Sequence, residues 1–172
     1  MTARVLSKLS AVAAICAASF GLFVACSEKP AMAASSVHVV TLARFTQIRL
    51  HTDRTVVALA PAQGADAGQG GQFFLTARGL TASVTPGVIY GVYLDLPLGA
   101  VPGANDPHLV GSIGFYDVGP EPSERFQSFE VTGVLARLGA PSGGSHTITF
   151  IPRGAPQAGA DPAIAELALV RQ

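Results

Sequence analysis

The stretch from Val88 to Leu96 constrains the fold more than any other part of the chain. Val88, Tyr90, Val92, Leu94 and Leu96 share one parity, and Ile89, Gly91, Tyr93 and Asp95 the other. Side chains of an extended chain alternate between two sides, so this pattern builds a strand with one continuous apolar face. Wound as a helix, the same residues would scatter around the axis. Thr85-Pro86-Gly87 stands before the run and Pro97 after it. Proline presets φ and glycine accepts positive φ, so both ends read as turns.

Weaker copies of this pattern recur along the chain. Val37 to Leu42, Phe45 to Leu50, Arg54 to Ala60, Phe73 to Ala77 and Leu80 to Val84 all read as strands. So do His108 to Tyr116, Phe126 to Val131, His146 to Ile151 and Ala163 to Val170, the last expected at a sheet edge. Gly111 and Gly114 inside their strand mark a bulge or a close backbone approach. Gly133 to Leu138 is the exception. Val134, Leu135 and Leu138 form a helical stripe, Thr132 is placed to cap its start, and Gly139 is placed to end it. Glycine and proline, 19 and 12 of the 172 residues, separate these runs into short elements. The expected fold is all-β: an antiparallel sandwich or partly closed barrel of about eight or nine strands, with one short helix near 133–138.

The charge inventory excludes several functional classes. Formal net charge is zero and only 13% of residues are charged, against 49% hydrophobic. A basic nucleic-acid surface and a polybasic membrane patch are both unexpected, and so is a disordered polyelectrolyte. No nucleic-acid partner is expected.

The first residues read as a targeting signal. Arg4 and Lys8 precede an uncharged run from Leu9 to Ala25 that is short for a membrane span. Phe23-Val24-Ala25-Cys26 is similar to a lipobox and would leave Cys26 as a lipidated N-terminus, with Phe23 in place of the usual Leu. Ala31-Met32-Ala33 offers ordinary signal-peptidase cleavage as the alternative. The abrupt stop of the apolar run at Cys26 favours the first route. The expected organisation is a signal peptide over 1–25 (alternatively 1–33), a tether over 26–36 and one β-domain over 37–172. The product is exported. It is a cell-envelope lipoprotein held to the membrane only by its lipid, or a periplasmic or secreted protein if cut after Ala33. Cys16 and Cys26 are the only cysteines, so the exported part has no disulfide and rests on burial alone.

Chemistry-bearing residues are sparse. His38, His51, His108 and His146 fall on separate strands or loops, without ligand spacing, and read as ordinary strand or surface residues. Asp106-Pro107-His108 reads as a turn leading into a strand rather than a metal site. The Gly64 to Gly71 segment lacks the strand-loop-helix setting of a phosphate cradle. Ser142 to Ser145 lacks a nucleophile elbow, and Glu121 and Glu124 read as solvated loop carboxylates. No catalytic residue, metal site or cofactor is expected, and the chain is read as a non-enzyme.

Four segments in order carry a more specific signal. They are Tyr90-Gly91-Val92-Tyr93-Leu94, then His108-Leu109-Val110-Gly111-Ser112, then Phe129-Glu130-Val131-Thr132 with Leu135-Ala136-Arg137-Leu138-Gly139, and finally Thr147-Ile148-Thr149-Phe150-Ile151-Pro152-Arg153. Residues 86 to 153 resemble the C-terminal domain of the polyphenol oxidase and tyrosinase family. The resemblance implies a small β-sandwich that covers a helical copper domain and shields its active site. That copper domain has no counterpart in these residues, so no oxidase activity carries over. Gly91 departs from the family, whose plant members usually carry an acidic residue there, and no position matches the side chain that plugs the copper pocket. The expected function is an exported, non-catalytic module that binds or covers a separately encoded tyrosinase-like copper oxidase. The alternative is a free-standing envelope lipoprotein with a structural or adhesive role.

Overall fold

A computed structural model describes residues 38–63 and 70–172. The expected signal peptide, the tether with Cys26, and the centre of the Gly64 to Gly71 segment lie outside the described residues.

Eight strands and one helix follow the apolar runs. They are β1 (Val40–Arg49), β2 (Thr55–Pro61), β3 (Phe73–Thr81), β4 (Ile89–Leu94), β5 (Leu109–Gly114), β6 (Phe126–Glu130), α1 (Thr132–Leu138), β7 (His146–Pro152) and β8 (Ala163–Arg171). The sheet order is β5-β4-β7-β2-β1-β8-β3-β6, and every hydrogen-bonded pair is antiparallel. The sheet falls into two four-stranded halves. Only Ala43↔Pro61 and Arg44↔Ala60 join β1 to β2 at the junction. The far edges, β5 and β6, meet through side chains instead of a ladder. The Phe129 ring lies against Gly111, and Gln127 Nε2 donates to the Gly114 carbonyl at 3.4 Å. The result is a nearly closed barrel with one seam, as the sequence led us to expect.

Alternation decides what enters the barrel. Tyr90, Val92 and Leu94 of β4, Ile113 of β5, Ile148 and Phe150 of β7, and Leu75 and Leu80 of β3 are all at most 1% exposed. Full burial of each such side chain contributes roughly 1.5–3 kcal/mol. Tyr90 and Phe115 meet edge to face with ring centroids 5.9 Å apart, the arrangement favoured by their quadrupoles.

Three expectations are corrected. Val37 to Leu42 and Phe45 to Leu50 fall on one strand, and so do Phe73 to Ala77 and Leu80 to Val84, because β8 pairs along both, with a register shift in β1 only between Thr41 and Ala43. Residues in the left-handed region let the chain continue where the alternation slips: Gln47 with φ 58° in β1 and Gly79 with φ 63° in β3. β8 is not an edge strand. It sits between β1 and β3, and its near-continuous burial from Leu167 to Val170 reflects that central place. Thr132 does not cap the helix, whose N-cap is Val131 without a side-chain bond. Its hydroxyl instead accepts the Phe73 amide at 2.8 Å, closing the start of β3. Gly139, with φ 63°, ends the helix as expected. Among the described residues no helix is long and apolar enough to cross a membrane.

Candidate functional site

The end of β4 builds the most distinctive surface. Asp95 follows the last residue of the strand and adopts φ 49°, which turns the chain out of the sheet. Its carboxylate then holds the neighbouring β7. Oδ1 accepts the Thr147 amide at 2.7 Å, and Oδ2 lies 2.8 Å from Nδ1 of His146. Nε2 of His146 faces the Pro141 carbonyl at 3.0 Å. An oxygen thus stands within hydrogen-bond distance of each ring nitrogen, which fixes the orientation of the imidazole. The imidazole is fully enclosed while the carboxylate keeps about a quarter of its surface in solvent. This arrangement anchors a loop and offers no nucleophile.

The loop from Leu96 to Asn105 leaves this anchor without a single ionisable side chain. Its base is clamped from several sides. The guanidinium of Arg54 donates to the Ala100 carbonyl. The Ala100 amide returns to Pro97 at 3.0 Å. On the far side, Asp106 Oδ1 accepts the His108 amide at 2.9 Å, and His108 Nδ1 donates to the Leu94 carbonyl at 2.8 Å. The Asp106-Pro107-His108 turn therefore starts β5, as read from the sequence. At the tip, Leu98 and Val101 are each 91% exposed. Two large aliphatic side chains thus stand in water on a braced loop, outside the core.

A second feature lies at the opposite end of β1. An open cleft of about 670 Å³ is lined by Gln47, Arg49 and His51, by Pro120 and Pro122, and by Ala165. The positive-φ residues Gln47 and Gly79 stand in one row on either side of Ala165, because Thr46 and Arg78 both pair with Glu166 while Ile48 and Leu80 both pair with Ile164. Left-handed backbone at a non-glycine residue costs of order 1–3 kcal/mol and collects at ligand-contacting positions.

The histidines do not converge. His38 and His51 are exposed, His108 braces its turn and His146 is buried. Among the described residues no three His, Cys, Asp or Glu side chains could hold a metal ion together. The sequence reading missed the Asp95–His146 pair. One signal was available: His146 shares parity with Ile148 and Phe150, both inward, and so belongs to the buried face.

No protein-family model matches the chain, and no curated protein matches it either. Solved structures do. Latent apple tyrosinase matches with a TM-score of 0.54 at 13% identity, over 73% of this chain and 27% of that one. Recombinantly expressed latent aurone synthase, a polyphenol oxidase, matches with a TM-score of 0.52 at 17% identity, over 73% of this chain and 25% of that one. This chain has the fold of one part of a latent polyphenol oxidase. It spans about a quarter of the length of the structures it matches. The shared fold agrees with the resemblance carried by residues 86 to 153.

Within this polyphenol-oxidase-type fold, Gly91 is covered by a neighbouring side chain. A Cβ on Gly91 would lie 2.9 Å from the Tyr93 ring. The ring folds back over the glycine, and a larger residue there, acidic or otherwise, would displace it.

Proposed function

We propose that this chain is an exported, non-catalytic module that binds a tyrosinase-like copper oxidase encoded as a separate chain and covers its active site. One observation supports the reading above the others: this chain shares the fold of about a quarter of each latent enzyme. A module of this kind acts through the surface it presents. The uncharged loop with Leu98 and Val101 at its tip suits that task, because apolar anchors surrounded by uncharged backbone lose little on desolvation when a partner covers them. The clamps at its base reduce the ordering cost of binding.

Export through the N-terminal segment and lipidation at Cys26 are part of the same proposal. A lipid at that position would keep module and partner at one membrane surface.

The test is reconstitution in trans with a tyrosinase-like oxidase from the same cell. The full chain is expected to co-purify with the oxidase and to slow phenol oxidation at least tenfold. Leu98→Asp together with Val101→Asp should remove both effects while the unfolding midpoint stays in place. Native protein that captures no such oxidase and leaves phenol oxidation unchanged refutes the proposal. Palmitate labelling of the native chain, absent from Cys26→Ser, tests the anchor. A labelled protein with no oxidase partner supports the free-standing envelope lipoprotein instead.

A further inference from the structure

The cleft beside Gln47 and Gly79 has no part in the proposed cover, and its chemistry is its own. β1, β8 and β3 run side by side, and all three change phase in the same row. Inward residues are Ile48, Ile164 and Leu80 on one side of that row, and Leu167 and Ala77 on the other. A single slipped strand would be a local bulge. Here three strands change phase together with no register shift at that row, and the hollow lies over it. Alanine at 165 and glycine at 79 keep the hollow clear. A Cβ on Gly79 would already sit 2.6 Å from the Ala165 methyl.

The groups around this hollow are complementary to one kind of ligand. The side chains of Gln47, Arg49 and His51 make no hydrogen bond or ion pair with any described residue. Among the described residues no carboxylate lines the cleft to neutralise Arg49. An unpaired guanidinium presents a planar fork of donors that matches a carboxylate with two parallel bonds. Pro120 and Pro122 line the cleft as well, and their rings supply apolar surface of limited flexibility. The Ser123 amide donates to the Leu80 carbonyl at 3.3 Å and the Ala82 amide to the Gly119 carbonyl at 2.9 Å, fixing that segment against the end of β3. A volume of about 670 Å³ lies within the usual range for small-molecule clefts.

The geometry points to a binding site for a small organic acid, with its carboxylate on Arg49 beside Gln47 and His51 and its apolar body against Pro120 and Pro122. Neither the carboxylate alone nor the apolar body alone satisfies both sets of lining residues. The site does not depend on an oxidase partner.

Benzoate is a suitable probe, titrated into the full chain at constant ionic strength and followed by calorimetry or ligand-observed NMR. Binding is expected to saturate. Benzyl alcohol, which has the body without the charge, and inorganic phosphate, which has charge without the body, should each bind at least tenfold more weakly. Arg49→Gln should weaken benzoate at least tenfold, and Arg49→Lys by less, because it keeps the charge and loses the fork. Arg49 is exposed, so both variants should unfold at the native midpoint. Three results would overturn the assignment: no saturation by benzoate, phosphate binding as tightly as benzoate, or an Arg49→Gln variant that binds benzoate unchanged.

Discussion

Adding one methyl group at Gly111 tests how the barrel closes. Gly111 lies in β5 opposite Val92, next to the point where Val110 is left over in the pairing and the register shifts. The Phe129 ring of β6 covers it from across the seam. A Cβ at Gly111 would stand 2.6 Å from Cδ1 and 2.8 Å from Cε1 of that ring. Carbon atoms prefer about 3.5–4.0 Å, so the ring would have to withdraw by about 1 Å. Phe129 is only partly buried but packs on the core. Withdrawal forfeits part of its burial, or else β5 and β6 separate. Either route costs roughly 1–3 kcal/mol. The alanine returns about 0.5–1 kcal/mol by restricting the unfolded chain. The expected net loss for Gly111→Ala is about 0–2.5 kcal/mol, or a fall of up to about 10 °C in Tm for a domain of this size. Urea unfolding of the full chain measures it. Phe129→Leu in the same molecule should recover part of the loss, giving a coupling of at least about 0.5 kcal/mol in a double-mutant cycle. Gly133→Ala is the control. It has nothing within 4 Å and sits in α1, so it should gain up to about 1 kcal/mol. The seam as described is wrong if Gly111→Ala is as harmless as Gly133→Ala and its effect is additive with Phe129→Leu.

Two further substitutions probe the polar interior. Asp95→Ala removes the acceptor of both the Thr147 amide and the buried His146 ring, and is expected to cost about 2–3 kcal/mol in urea unfolding. Asp95→Asn should cost under about 1 kcal/mol, because Asn tolerates positive φ and its amide can donate to a His146 ring that carries its proton on Nε2. Equal losses from the two would refute the network. Tyr90→Phe should be neutral or stabilising by up to about 1 kcal/mol, since the Tyr90 hydroxyl is buried without a protein partner among the described residues. Burial also pushes its phenol above the usual 10.0. Above pH 10 the unfolded chain therefore loses a proton that the folded chain keeps, and stability falls as pH rises. Tyr90→Phe should lack that component, so its advantage should grow in unfolding measured at alkaline pH. An advantage that is independent of pH refutes the assignment.

The sequence alone settled the all-β class, the course of β4 and β5, the position of α1 and the turn at Asp106. Each depends on residues close together in the chain: an alternation of period two, a helical stripe ended by glycine, a side chain bonding its own backbone. The tertiary structure decided the rest. β8 lies at the centre because β1 and β3 both pair with it, and no local pattern of Ala163 to Val170 states which strands will flank it. Thr132 serves β3 because Phe73 is brought beside it by β3–β6 pairing. Asp95 meets His146, and Arg49 shares a cleft with Pro120 and Pro122, only once the strands and loops that carry them are neighbours. Periodicity reports which way a side chain points, and strand order determines what it meets there.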